Sequence, residues 1–537
     1  MTPFRISKTY LLSQKRPLII YVFIILASSA ITILSPYIIG DFIDALIYGA
    51  DINVIFRFAV IFGGLGLLKI IKGFITSLIY VKMQVKMSYD FNMDVIKHIQ
   101  GLSLSYSSKE DSAYLTQRIN SDTNSLIVFC ISILQNIITS AITLIVPFII
   151  LLTMNWLISV LMLVFIVMYT MLYFVFKKPL YKAGLALRES FAKFYAKLFE
   201  QLKYLKLIKM NSIQPEINFR ANESFIDMRT ASINNQKINY FYSSLDGFIS
   251  TIAQITLFVI GGIQILLGNF TIGMFTIFTS YFSMMLGAAR YFFGLGAYYQ
   301  NIMVSCDRIT EILRQPLEKV GDKIINGIEK IEIVNLSFAY DKHNNIINDF
   351  NASFVKGNIY GIAGANGAGK STIITLLMGM YADEYKGVIK YDDTDIRELD
   401  MSDIRKRLIG FSEQEPQLIS DSIQYNLSFG INKVTNLSYF TKILNMQDFI
   451  TNNGLEFEIN ENNTNTSGGE KQKISILKVL CKNPDVMVFD EPTSALDANT
   501  AKMFMQYLCE IKHDKIIIII SHDDWVIRYC DAVMKIY

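Results

Sequence analysis

Apolar residues in this 537-residue chain are concentrated in its first half, in six stretches each long enough to cross a lipid bilayer. About 20 apolar residues in a helix span the ~30 Å hydrocarbon layer. The stretches run over roughly 18–39, 54–80, 131–153, 157–176, 247–267 and 271–294, whereas beyond Leu313 the longest apolar run is Ile516–Ile520. The pattern predicts a membrane α-helical bundle of six transmembrane helices followed by a soluble part. With 52% apolar residues, 18% charged and a net charge of +3, the chain cannot be intrinsically disordered and shows no whole-chain nucleic-acid signature. Its five cysteines form no CxxC pair, so neither a disulfide framework nor a zinc site is expected.

Lys and Arg set the expected orientation, because short cytoplasmic segments hold their excess. Arg5, Lys8, Lys15 and Arg16 precede the first span without an acid, while Asp41, Asp44 and Asp51 fill the turn after it. The turns at Met154–Trp156 and Gly268–Phe270 carry no charge. Both termini are therefore expected in the cytoplasm of a multi-pass protein of the cell membrane. Two polar segments rich in Lys and Arg, about 82–123 and 177–240, are expected as long cytoplasmic helix extensions that could act as levers. The first span is too long for a cleaved signal peptide, and too few residues precede it for a separate enzyme domain.

From Lys330 onward short strands and helices alternate, which implies a mainly parallel sheet covered by helices. NIYGIAG leads into Gly364, Ala365, Asn366, Gly367, Ala368, Gly369, Lys370 and Ser371, matching GxxxxGK[ST], with Thr372 next in the following helix. In such a turn backbone amides converge on phosphates, Lys370 reaches the β- and γ-phosphates, and the Ser371 hydroxyl ligates Mg²⁺. Val486–Phe489 reads as a buried strand delivering Asp490, placed to orient Mg²⁺, and Glu491, placed to polarise the attacking water. Ile516–Ile520 is a second buried strand; it ends at Ser521 and His522, where doubly wound sheets bind ligands.

With these residues in view, the chain resembles an ATP-binding cassette exporter of the half-transporter kind over nearly its whole length. The resemblance implies a six-helix membrane domain over 1–315, a linker over 316–327 and an α/β P-loop ATPase domain of the ABC type over 328–537, using ATP and Mg²⁺. It makes Tyr340 the adenine-stacking aromatic, Gln414 a metal-associated glutamine, and Asp490 a metal-orienting acid. It also makes Glu491 the general base, His522 the switch histidine, and Ser494–Asp497 a loop at the dimer contact. TSGGEKQ, residues 466–472, resembles the signature sequence, so Ser467, Gly468, Gly469 and Glu470 would meet a nucleotide held by a second copy. One copy cannot complete that site, so a homodimer is implied. Short coupling helices are expected near 109–117 and 210–219, with Glu461 in a loop that meets the second. The chain departs from the family at Thr466, Glu470, Asn460 and Asn463, is short between Gln414 and Ser467, and stops at Tyr537 without the usual extension.

Within the spans, Lys69, Lys72 and Arg290 are ionisable groups at membrane depth, as is Asp246. They read either as snorkelling or pairing with Asp246, or as a basic patch holding anionic cargo. Aromatics such as Tyr281, Phe282, Tyr291, Phe292 and Phe293 suit an amphipathic cargo and equally suit lipid-facing packing. A peptide is the expected cargo, with a lipid or lipophilic drug as the alternative. An ATP-gated channel or sensor is the alternative from another class.

Overall fold

A computed structural model describes residues 2–49, 51–107, 112–318, 321–340, 345–365, 367–382, 384–429, 436–460 and 465–536. The chain forms two compact units, residues 1–97 with 113–314, and residues 98–112 with 315–537.

In order, the first half contains α1 (Pro3–Ser13), α2 (Lys15–Ile47), α3 (Ile52–Gln100), α4 (Leu104–Ser107), α5 (Ser112–Met154), α6 (Trp156–Lys203), α7 (Leu205–Met210), α8 (Gln214–Leu266) and α9 (Ile272–Leu313). Six of these, α2, α3, α5, α6, α8 and α9, are long and apolar enough to cross a membrane. Each continues as one helix beyond the apolar stretch, which carries the polar segments out of the bilayer. The turns are built by their own residues. Asn155 accepts from the Ile158 amide at 3.1 Å to start α6, and Gly268 takes φ +77° before Thr271 caps α9. The bundle core repeats at helical spacing, with Ile158, Met162, Phe165 and Tyr169 of α6 packing with Phe278, Tyr281, Phe282 and Met285 of α9.

At the α2 end next to that turn, α2 and α9 approach backbone to backbone. Asp44 accepts from the Thr271 hydroxyl at 2.5 Å and the Gly273 amide at 2.7 Å. A Cβ on Gly273 would lie 2.1 Å from the Gly40 carbonyl oxygen and 2.4 Å from the Asp44 carboxyl carbon. Gly273→Ala is therefore expected to cost about 1–3 kcal/mol, read as a lower unfolding temperature of the detergent-solubilised protein. An unchanged midpoint would mean that the two helices do not meet this closely.

The second short helix lies earlier than the sequence suggested. α7 covers Leu205–Met210 rather than 210–219, because Ser212 adopts φ +52° and Pro215 occupies the first turn of α8. Of the first expected short helix, 109–117, Lys109, Glu110 and Asp111 lie outside the described residues and 112–117 begin α5, while α4 precedes it. Residues 98–112 belong to the second unit, where the Gly101 carbonyl accepts from the Glu318 amide at 2.8 Å and Ser105 donates to Glu384 at 2.6 Å.

The second unit contains β1 (Lys330–Phe338), β2 (Ile347–Val355), β3 (Asn358–Gly364), α10 (Lys370–Leu377), β4 (Lys386–Tyr391), β5 (Thr394–Asp395), α11 (Met401–Arg407), β6 (Ile409–Ser412), α12 (Ile423–Leu427), α13 (Leu437–Ile443), α14 (Gln447–Asn453), α15 (Gly468–Lys482), β7 (Val486–Asp490), α16 (Ala498–Ile511), β8 (Ile516–Ile520), α17 (Asp524–Ile527) and β9 (Ala532–Ile536). A parallel sheet runs β6-β7-β8-β3-β9, and a separate antiparallel sheet runs β2-β1-β4-β5. The five isoleucines of β8 divide by alternation. Ile516, Ile518 and Ile520 enter one core with β1 and β4, while Ile517 and Ile519 enter another with α15 and α16. Burial on both faces explains why β7 and β8 read as unbroken apolar runs. Their carboxyl ends lie side by side, with Asp490 paired to Ile520.

Candidate nucleotide site

β3 ends at Gly364, and α10 starts at Lys370 behind Gly369, whose φ is +93°. Besides that conformation, a Cβ at Gly369 would press on Ile346 at 3.0 Å, so glycine is required there. The turn opens a cavity of about 950 Å³ lined by the turn itself, Tyr340 beyond β1, Ile346, Gln414 beyond β6, Asp490 and Glu491 at the end of β7, and His522 beyond β8. Asn366 lies outside the described residues.

Lys370 is buried, and its ammonium donates to the Gly364 carbonyl at 2.8 Å and the Ala365 carbonyl at 3.0 Å. Those neutral acceptors hold the charge at the mouth of the turn. Ser371 donates to Asp490 at 2.8 Å. Burial pushes the Asp490 carboxyl above the usual range, opposed by the Ser371 hydrogen bond. Beside it, Glu491 accepts from the Gln414 amide at 2.8 Å on one carboxylate oxygen, and its other lies 3.1 Å from His522 Nδ1. Tyr340 packs its ring edge-on against Phe338 and Tyr381 while its hydroxyl meets Thr372 at 3.2 Å. It remains about half exposed at 47% and so offers a ring face to the cavity.

Glu491 has φ +47°, a conformation that costs a non-glycine residue about 1–3 kcal/mol and must be held from outside. Three donors hold its carbonyl: Gln472 Nε2 at 2.8 Å, the Ser494 hydroxyl at 3.0 Å and the Ser494 amide at 3.2 Å. Gln472 is fully buried in α15 and also accepts from the Ala495 amide at 2.9 Å. Neither this tether nor Ile346 in the cavity wall was apparent from the sequence.

The residues 466–470 lie elsewhere. Ser467, Gly468, Gly469 and Glu470 open α15 and do not line the cavity. Ser467 and Glu470 form a capping box, in which Glu470 accepts from the Ser467 amide at 2.7 Å and Ser467 accepts from the Glu470 amide at 3.3 Å. A glutamate at 470 thus has a structural role here. Glu461 lies outside the described residues.

The model for the ABC transporter transmembrane region matches residues 18–289, half of the chain, and the ABC transporter model matches residues 347–494. The chain belongs to the ABC transporter family. This ABC transporter is 25% identical over 461 residues to a putative multidrug export ATP-binding/permease protein, YgaD, of Bacillus subtilis, covering 84% of this chain and 79% of that one. It is 24% identical to an uncharacterized ABC transporter ATP-binding protein, YwjA, of the same organism, over 93% and 88% of the two chains. A bacterial Atm1-family ABC exporter solved with ATP bound has the same fold, with a TM-score of 0.84 at 19% identity over 97% of this chain and 93% of that one. The transporter is a multi-pass membrane ATPase of the exporter type, with a six-helix membrane region fused to an ATP-binding domain whose hydrolysis is coupled to transport.

In the membrane unit the three basic residues of the spans do not share one site. Arg290 of α9 pairs with Asp246 of α8 at 3.0 Å, donates to the Tyr169 hydroxyl of α6 at 2.8 Å and lies over that ring at 5.5 Å. Tyr169 in turn donates to the Asp246 carbonyl at 2.8 Å. This network gives the exposed Arg290 guanidinium both an acid and a hydroxyl as partners. Lys69 is exposed, and Lys72 alone lines a second cavity.

Proposed function

We propose that two copies of this chain bind ATP between them and export an amphipathic cargo by alternating access, with both termini in the cytoplasm. The observation that carries the reading is the convergence of Lys370, Ser371, Asp490, Glu491 and His522 on one cavity. ATP would place its adenine on Tyr340 and its phosphates over Gly364–Thr372, where Lys370 exchanges two loop carbonyls for phosphate oxygens. The fully charged acceptors make that exchange favourable. Glu491 then takes the proton of the attacking water. Gln414 and His522 hold its two carboxylate oxygens, so the base is oriented before the water arrives. Ser467–Glu470 would close over the nucleotide of the second copy, consistent with their place away from the cavity of their own chain.

The donor set fits Mg²⁺. The Ser371 hydroxyl, the buried Asp490 carboxylate and the Gln414 side chain offer hard oxygen atoms, and a cation beside Asp490 would offset the burial that disfavours its charge. The ion would neutralise charge developing on the phosphates. Asp490 and Ser371 hold each other in place for it.

For cargo we favour a lipophilic amphiphile over the peptide expected from the sequence. The multidrug-export name of the Bacillus subtilis relative supports this choice. ATP turnover by the purified protein in lipid nanodiscs tests it, with acidic peptides, neutral peptides, lipid analogues and amphipathic drugs added in turn. Stimulation by lipid analogues or drugs is expected. Stimulation confined to peptides would restore the peptide reading.

A further inference from the structure

A cavity of about 440 Å³ lies among α2, α3 and α5, within the range of small-molecule sites. Its wall is polar for a membrane interior. Lys72 of α3 shares it with the hydroxyls of Ser28, Thr76, Ser132 and Thr139 and the amide of Gln135. These residues also agree in depth. Counted at ~1.5 Å per residue from the ends of the apolar stretches at 18, 80 and 131, Ser28 lies ~15 Å in, and Lys72 and Thr139 ~12 Å in. Three helices thus bring polar groups to one level near the middle of the bilayer.

The charge at this level is uncompensated. The Lys72 ammonium lies against the Ser28 hydroxyl, and among the described residues no carboxylate is within ion-pair distance of it. Arg290 shows the contrast, since Asp246 balances it. An ammonium at such depth costs several kcal/mol unless it is paired or meets water, and hydroxyl dipoles solvate it without neutralising it. An anion would supply the counter-charge, and the cavity gives it room. Elsewhere on α3, Ile71, Phe74 and Ile75 are exposed, an apolar surface on the helix that carries Lys72.

We propose that this cavity takes the anionic head group, phosphate or carboxylate, of a membrane amphiphile, with Lys72 as its counter-charge and the surrounding hydroxyls and Gln135 as hydrogen-bond partners. The proposal rests on the export reading above and narrows its cargo to anionic amphiphiles.

The test is equilibrium binding of monododecyl phosphate to the full-length protein in phosphatidylcholine nanodiscs without nucleotide. Dodecylphosphocholine serves as the charge-compensated head group and inorganic phosphate as the soluble anion. Monododecyl phosphate should bind best, and Lys72→Gln should weaken it about tenfold or more, equivalent to ~1.4 kcal/mol or more. Lys72→Arg should restore binding to within about threefold, which separates lost charge from lost folding. Lys69→Gln removes an equal charge one helical turn away, outside the cavity lining, and should weaken binding clearly less than Lys72→Gln does. Unchanged binding in Lys72→Gln, equal weakening in Lys69→Gln, or equal binding of dodecylphosphocholine would overturn the proposal. Inorganic phosphate binding as tightly as monododecyl phosphate would overturn the amphiphile in favour of a soluble anion. Because binding is measured without ATP, failure of the export reading would show separately, as ATP turnover insensitive to Glu491→Gln.

Discussion

Glu491→Gln should leave ATP binding within about twofold of the parent while lowering turnover about 10²–10⁴-fold, the range for removing a general base. The substitution preserves shape. A glutamine oxygen can still accept from Gln414, and its amide can donate to His522 Nδ1 in the tautomer that accepts there. The backbone tether from Gln472 and Ser494 does not involve the replaced atoms, so the φ of +47° is held as before. Only the capacity to accept a proton from water is lost. Phosphate release from the purified protein in nanodiscs measures turnover, and a fluorescent nucleotide titration measures binding. Turnover near the parent value would remove Glu491 as the base. Loss of binding together with turnover would mean that the carboxylate holds the fold of the cavity rather than the proton.

Much of this architecture was legible because it rests on local signals. The six spans need only apolar length, and each expected stretch falls on a long apolar helix. The parallel sheet was visible because burial on both faces makes β7 and β8 continuously apolar. The antiparallel sheet was not. β2 reads INDFNASFV, and its mixture of exposed polar and half-buried residues resembles a loop until β1 pairs with it. The short helix at 205–210 was placed too late for a related reason. Its end depends on Ser212 at positive φ, which leaves no periodic signal.

The site divides in the same way. Glycine spacing and the Lys-Ser pair mark the turn that opens the cavity by themselves, and acids at a strand end mark its opposite wall. Gln472 carries no such mark. A glutamine inside an amphipathic helix reads as solvated, yet it is buried and holds the carbonyl of Glu491 because α15 packs under the end of β7. The basic residues of the spans show the same limit from the other side. Lys69, Lys72 and Arg290 look alike in sequence, and only the packing of α6, α8 and α9 gives Arg290 its acid and its tyrosine while leaving Lys72 without one.

Lys370→Ala should act on binding itself, weakening ATP affinity by about 30- to 1,000-fold, or ~2–4 kcal/mol, the scale for removing one partner of a desolvated charged hydrogen bond. Among the described residues Lys370 hydrogen-bonds backbone carbonyls and has no carboxylate within ion-pair distance, so arriving phosphate oxygens would be its first direct counter-charge. Removing the side chain leaves the Gly364 and Ala365 carbonyls beside a void that water can fill, which limits the cost to the fold. Gly369 and the start of α10 do not depend on the side chain, so the turn should keep its shape. The expected pattern is therefore opposite to that of Glu491→Gln: affinity falls first, and turnover falls with it at low ATP. A nucleotide titration beside a thermal unfolding curve decides the matter. Unchanged affinity would remove Lys370 from the phosphates, whereas lost affinity with a collapsed unfolding midpoint would assign its role to holding the turn together. Lost affinity with a parent-like midpoint is the result that the two carbonyl contacts lead us to expect.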